Sequence, residues 1–215
     1  MDRKEYIGKE NYDFGDFYDI MKILRAPDGC PWDREQTHTS IRQNMLEEAY
    51  EACDAIDHTD DEGLCEELGD LLMQVIFHAQ IAEEAGEFTL SDIIGGVCKK
   101  LIVRHPHVFG DTSVSGSDEV LTNWEAIKNQ TKGMDTLADT LNGVALALPA
   151  LMRAQKLCSR TKKAGVKVEE LLPEANTPEE RLGKALFLLC KEAQEAGLDA
   201  EKALTDYNNL YISRA

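Results

Sequence analysis

No run of eighteen apolar residues occurs in this 215-residue chain, and the start, Met1 to Tyr6, lacks the apolar segment of a secretory leader. Neither a membrane span nor export is expected. Basic residues are scarce: 23 Lys and Arg stand against 40 Asp and Glu, a formal charge of −17. Phosphate backbones are held by clustered cations, so a general nucleic-acid surface is not expected either. The six cysteines, at 30, 53, 65, 98, 158 and 190, include no Cys-x-x-Cys pair and no Cys/His cluster of zinc-finger spacing. They read as reduced thiols of a cytoplasmic protein. Aromatics are only 7%, whereas Ala, Leu, Glu and Lys, which lose little side-chain freedom in a helix, are plentiful. The expected class is all-α.

Helical spacing of Phe17, Ile20, Met21 and Leu24 predicts a first helix from Phe14 to Ala26, ended by Pro27-Asp28-Gly29. Cys30-Pro31-Trp32-Asp33 reads as a loop. Ser40 with Gln43 forms a capping-box pattern before Ile41, Met45, Ala49, Ala52 and Ile56, predicting a helix over about 41–57. Thr59 with Glu62 repeats it, opening a helix to about Ala85. Ser91 is the expected cap of a helix from Asp92 to about Arg104, stopped before Pro106. Another helix is expected over about 118–130, then a linker near 133–136. Three more follow, near 149–164, 178–196 and 199–213, the middle one opened by Thr177-Pro178-Glu179-Glu180. A faint repeat matches Leu68-Gly69-Asp70-Leu71-Leu72 to Leu182-Gly183-Lys184-Ala185-Leu186, and in it Glu67 becomes Arg181 and Asp70 becomes Lys184.

The chemistry concentrates in two helices. Glu48 and Glu51 are three residues apart and Glu47 and Glu51 four, so they project from one sector, bordering the apolar arc of their helix. Glu67 and Asp70 share the i,i+3 relation beside Leu64, Leu68, Leu71 and Val75. Antiparallel helices joined by the short segment His58 to Asp60 bring these faces together. Bare, five carboxylates repel and raise one another's pKa values; divalent cations relieve this, and all-oxygen ligation selects Mg²⁺ or Mn²⁺. On a merely solvated face the i,i+4 positions would carry opposite charges, and here they do not.

Leu46-Glu-Glu-Ala-Tyr-Glu51 followed by Glu67-Leu-Gly-Asp70 resembles the Glu-Glu-x-x-Glu, spacer, Glu-x-x-Asp signature of the MazG-type nucleoside triphosphate pyrophosphohydrolases. Cys30-Pro-Trp-Asp33, Gln36-Thr37-His38, Arg104-His-Pro-His-Val-Phe-Gly-Asp111 and Asn123-Trp124-Glu125 resemble that family in the same order, over residues 14 to about 130. The resemblance implies a helical bundle in which Glu48, Glu51, Glu67 and Asp70 ligate Mg²⁺, Mn²⁺ being a possible substitute, with Glu47 assisting a metal or the attacking water. It places Lys100 and Arg104 at phosphate oxygens. Lys99 and Val103 depart from the family, whose members often carry an acid and an Arg there. The implied reaction is hydrolysis of a nucleoside triphosphate to monophosphate and pyrophosphate, by metal-activated water attacking the α-phosphorus. It would serve house-cleaning or regulation of nucleotide pools. Trp32 and Trp124 could stack on the base, or pack a core or lid.

The expected organisation is a catalytic helical domain, 1–132, and a degenerate, catalytically inactive helical region, 138–215. The resemblance also suggests a homodimer whose helices jointly assemble the bundle. Two rival readings belong to other classes. A di-iron carboxylate bundle would need two Glu-x-x-His pairs, and only Glu35-Gln-Thr-His38 is present. A non-catalytic regulatory protein keeping a relic metal site would show the same carboxylates without turnover.

Overall fold

The computed structural model describes residues 3–134 and 136–214; Asp135, within the expected linker, lies outside them. The described residues form α-helices and two short 3-10 turns with no strand, so the chain is all-α. No described helix is long and apolar enough to cross a membrane. Two compact units are present, Met1–Val103 and Arg104–Ala215. Gly133, Met134, Thr136 and Leu137, which stand between the two expected regions, fall inside the second unit.

The first unit begins with α1 (Phe14–Arg25), started by a reciprocal capping box between Asp13 and Asp16. The chain then doubles back at Gly29, whose amide donates to Ala26 O and where any Cβ would collide with the carbonyls of Ile23 and Leu24. The Cys-Pro-Trp-Asp segment is not a plain loop. It opens a single helical turn, α2 (Pro31–Glu35), with proline at its first position, where a missing N–H costs nothing.

Two expected caps are corrected. The helix α3 (Arg42–His58) has Ile41 at its N-cap and no side-chain cap. Ser40 instead closes the preceding turn, its hydroxyl donating to Gln36 Oε1 and accepting from Thr37 N. Thr59 ends α3 in the left-handed region, φ 56°, and Asp60 caps α4 (Asp61–Ala85) by accepting from Gly63 N at 3.0 Å. This two-residue reversal makes α3 and α4 an antiparallel hairpin. The buried cluster of this unit joins α1 to α4: Met21, Ile41, Ile76 and Phe77, with Phe17, Tyr18, Met73 and Ile81 packed around it. Ile56 and Leu68, expected on buried arcs, are instead 59% and 51% exposed.

The next helix, α5 (Leu90–Arg104), starts two residues earlier than expected, capped by Thr89 and Asp92 bonding reciprocally and not by Ser91. Its Ile94, Val97, Leu101, Ile102 and Val103 are all exposed.

The second unit holds a short α6 (Pro106–Phe109), not foreseen, then α7 (Ser117–Lys132), α8 (Leu137–Asn142), α9 (Ala150–Lys163), α10 (Pro178–Glu195) and α11 (Ala200–Ile212). Thr177, Pro178 and Glu180 start α10 as a full capping box. Paired α9 and α10 bury Cys158 and Cys190, with Val168 beside them. Burial pushes the Cys158 thiol up to about 11, which leaves it protonated and unreactive at neutral pH.

Candidate metal centre

The antiparallel α3–α4 hairpin brings Glu48 from one helix against Glu67 and Asp70 from the other. A carboxylate oxygen from each lies within 4.8 Å of the other two, and all three side chains are half-buried. Glu47 and Glu51 stand exposed beside them. Burial raises the Glu48 carboxyl above its usual range, and the charges of Asp70, Glu51 and Glu47 raise it further, while a hydrogen bond from Gln74 opposes them. Glu67 is raised in the same way, by burial and then by Glu51 and Glu48. Glu51 thus acts on both sides of the cluster, although it is not one of the three converging groups.

None of the ion pairs seen among the described residues involves these five acids. Elsewhere in the same unit carboxylates find cations readily: Asp16 takes Lys9, Glu83 takes Lys22 and Glu84 takes Arg25. The donor set is all oxygen, negatively charged and short of positive partners, which suits a hard divalent cation.

The other expected site residues are placed as follows. Trp32, in α2, is 58% exposed. Lys100, on α5, is also exposed. Arg104 is buried, with its guanidinium 4.9 Å from the centre of the Trp124 ring, and Lys128 approaches the same ring at 5.3 Å while pairing with Glu125. The Trp124 face is therefore already occupied by cations in the second unit. At the positions that the sequence comparison aligns with Glu67 and Asp70, Arg181 donates to Asn176 O at 2.9 Å and Lys184 to Pro173 O at 3.5 Å. These two side chains tie a loop to α10.

Two residues escape the spacing argument. Arg25 is buried; it donates to Glu84 through Nε and Nη2 and to the carbonyls of Asp33 and Gln36, anchoring the turn that carries Trp32. Gln74 is 4% exposed and lies one turn beyond Asp70. A polar residue on the apolar side of α4 is the one sequence signal that could have marked it. Nearby, His38 stacks on His78 with Nδ1 atoms 2.7 Å apart, holding the Gln36–Ile41 turn against α4, and burial lowers the His78 pKa, helped by His38.

Residues 36–109 match the family model described as the MazG nucleotide pyrophosphohydrolase domain. A protein of Escherichia coli named nucleoside triphosphate pyrophosphohydrolase is 40% identical, the match covering 91% of this chain and 82% of that one. Thermotoga maritima has a relative named nucleoside triphosphate pyrophosphohydrolase/pyrophosphatase MazG, 38% identical over 94% of this chain and 83% of its own. The uncharacterized protein YabN of Bacillus subtilis is 48% identical over 68% of this chain, but the match spans only 30% of that longer protein. With relatives at this identity matching nearly end to end, and the domain model lying across the carboxylate hairpin, the chain belongs to the MazG nucleotide pyrophosphohydrolase family.

Proposed function

We propose that this protein hydrolyses nucleoside triphosphates to the monophosphate and pyrophosphate at a Mg²⁺ centre, Mn²⁺ substituting, held by Glu48, Glu67 and Asp70 with Glu51 completing the set. The observation that carries the reading is the convergence of three carboxylates from adjacent helices within 4.8 Å. When bound, a divalent cation neutralises this cluster, lets a triphosphate approach it and makes water a better nucleophile at the α-phosphorus.

The chain's own groups divide the remaining work. Glu47 is exposed and, among the described residues, its Oε1 meets the long 3.4 Å contact from Gln43, so its carboxylate is available to take the proton of the attacking water. Lys100 is exposed and can meet oxygens of the departing pyrophosphate. Trp32 offers an open ring to the base, on a turn stiffened by Arg25. Arg104 is buried against the Trp124 ring, and these two are proposed as the lesser substrate contacts. We infer too that the C-terminal third, 138–215, does no chemistry, since Arg181 and Lys184 repel the ion that the first copy attracts. A role in nucleotide pools and a cytoplasmic location fit this reading.

The protein is further read as a homodimer. Exposed Leu46, Tyr50, Leu68, Leu72, Ile94, Val97 and Leu101 lie on α3, α4 and α5, an apolar set that a second copy would cover. Sedimentation at twice the 24.0 kDa chain mass is expected, and a monomer at working concentration would contradict it.

The activity is tested by chelation. Pyrophosphate and monophosphate are expected to appear in equal amounts with Mg²⁺ or Mn²⁺ and to cease with excess chelator. Initial release of diphosphate and orthophosphate, or turnover indifferent to the chelator, would refute the proposal.

A further inference from the structure

The polar residue that the proposed reaction leaves unused is Gln74. Glu67, Asp70 and Gln74 follow one another at i, i+3 and i+7, so they share one face of α4. At 4% exposure Gln74 is the most deeply buried polar or charged residue of the α3–α4 hairpin. Across the hairpin its amide favours the charged form of the Glu48 carboxylate. Its Oε1 is fully buried and has no hydrogen-bond partner among the described residues. Buried amide oxygens are normally satisfied, and an orphan beside a carboxylate cluster calls for a missing donor.

Resting on the metal-centred reading above, we infer that Gln74 is a positioning residue of this centre: its amide side chain, buried on the face of α4 that carries Glu67 and Asp70, holds Glu48 in the orientation in which it would ligate a cation. The chemistry suits an amide and little else. A Glu at this position would add a sixth negative charge, and a Lys would compete with the cation. Asn is one methylene shorter and falls short of α3. A neutral side chain that both donates and accepts fixes a carboxylate while leaving its full charge for the metal.

Gln80 supplies the contrast. It is buried on the same helix, 7% exposed, and its Oε1 is also unpaired, but its amide donates to Glu84 at 3.1 Å, away from the cluster. A packing role would make the two glutamines equivalent, whereas a positioning role separates them.

The experiment measures Mn²⁺ binding to the full-length protein by the loss of the free-ion electron paramagnetic resonance signal, alongside thermal melting, for the wild type, Gln74→Met and Gln80→Met. Gln74→Met is expected to bind Mn²⁺ roughly tenfold more weakly, the size typical of losing a group that orients a ligand. Gln80→Met should bind as the wild type does, whatever its melting temperature. Gln74→Asn, which keeps the amide but not its reach, should resemble Gln74→Met and serves if the Met variant folds poorly. Wild-type affinity in both Gln74 variants, or an equal loss in Gln80→Met, would overturn the inference. Failure of the wild type itself to bind Mn²⁺ would instead strike the metal-centred reading on which it rests.

Discussion

Glu48→Gln, and separately Asp70→Asn, is expected to lower pyrophosphate release by about 100-fold or more, since a bound metal supplies several kcal/mol of charge stabilisation and each ~1.4 kcal/mol is a factor of ten. Each change removes one oxygen ligand's charge from the three carboxylates that converge among the described residues, and Glu51, the proposed fourth ligand, is already in use and cannot replace it. Stability should move the other way. Without metal, Glu48 is half-buried among Asp70, Glu51 and Glu47, and its raised pKa records that its charge is unwelcome there. The metal-free variants should therefore melt at or above the wild-type temperature. Activity lost together with the fold would say nothing about ligation, so melting and turnover belong in one experiment. Arg181→Ala with Lys184→Ala is the matched control in the second unit, and its turnover should be unchanged. Near-normal rates in Glu48→Gln or Asp70→Asn would remove that residue from the ligand set. Loss of activity in a stably folded double variant would give the C-terminal third a part in catalysis.

Arg25→Met should cost about 2–3 kcal/mol of stability, less than the ~3–5 kcal/mol of a fully buried pair because Glu84 keeps 38% of its side chain exposed. The Arg25 side chain itself is only 5% exposed. Its guanidinium holds Glu84 at 2.7 Å, caps two carbonyls of the α2 turn and lies 5.3 Å from the Phe77 ring centre. Burial opposes the Glu84 charge, yet the hydrogen bonds from Arg25 and Gln80 keep its carboxyl below the usual range. Removing Arg25 alone strands that charge, so Arg25→Met with Glu84→Leu should recover part of the loss. Urea unfolding checks both. Because the same guanidinium stiffens the turn bearing Trp32, Arg25→Met should also raise KM more than it lowers kcat. A single variant within ~0.5 kcal/mol of wild type would show that the pair and its carbonyl contacts contribute little.

These two expectations differ in how far the sequence foretells them. The carboxylate cluster is legible because its geometry is local: i,i+3 and i,i+4 spacing fixes each helix face, and a two-residue reversal fixes how the faces meet. The opening of α10 at Thr177 is legible for the same reason. Local patterns also mislead. Ser40–Gln43 and Thr59–Glu62 both have capping-box spacing, but Ser40 closes a turn with Gln36 and Thr37, and Asp60 takes the capping role one residue after Thr59. Single turns such as α2 and α6 are too short to show a period. The contact between Arg25 and Glu84 spans 59 residues of chain, and no spacing rule reaches that far. Exposed Ile56 and Leu68 were expected inside because periodicity identifies an apolar face without saying whether its cover comes from the same chain.

The central claim, water attack at the α-phosphorus beside the Glu48, Glu67 and Asp70 cluster, is tested most directly by turnover in ¹⁸O-labelled water with Mg²⁺ present. The account predicts one labelled oxygen in the nucleoside monophosphate and none in the pyrophosphate. Label recovered in pyrophosphate or orthophosphate, with the monophosphate unlabelled, would contradict it.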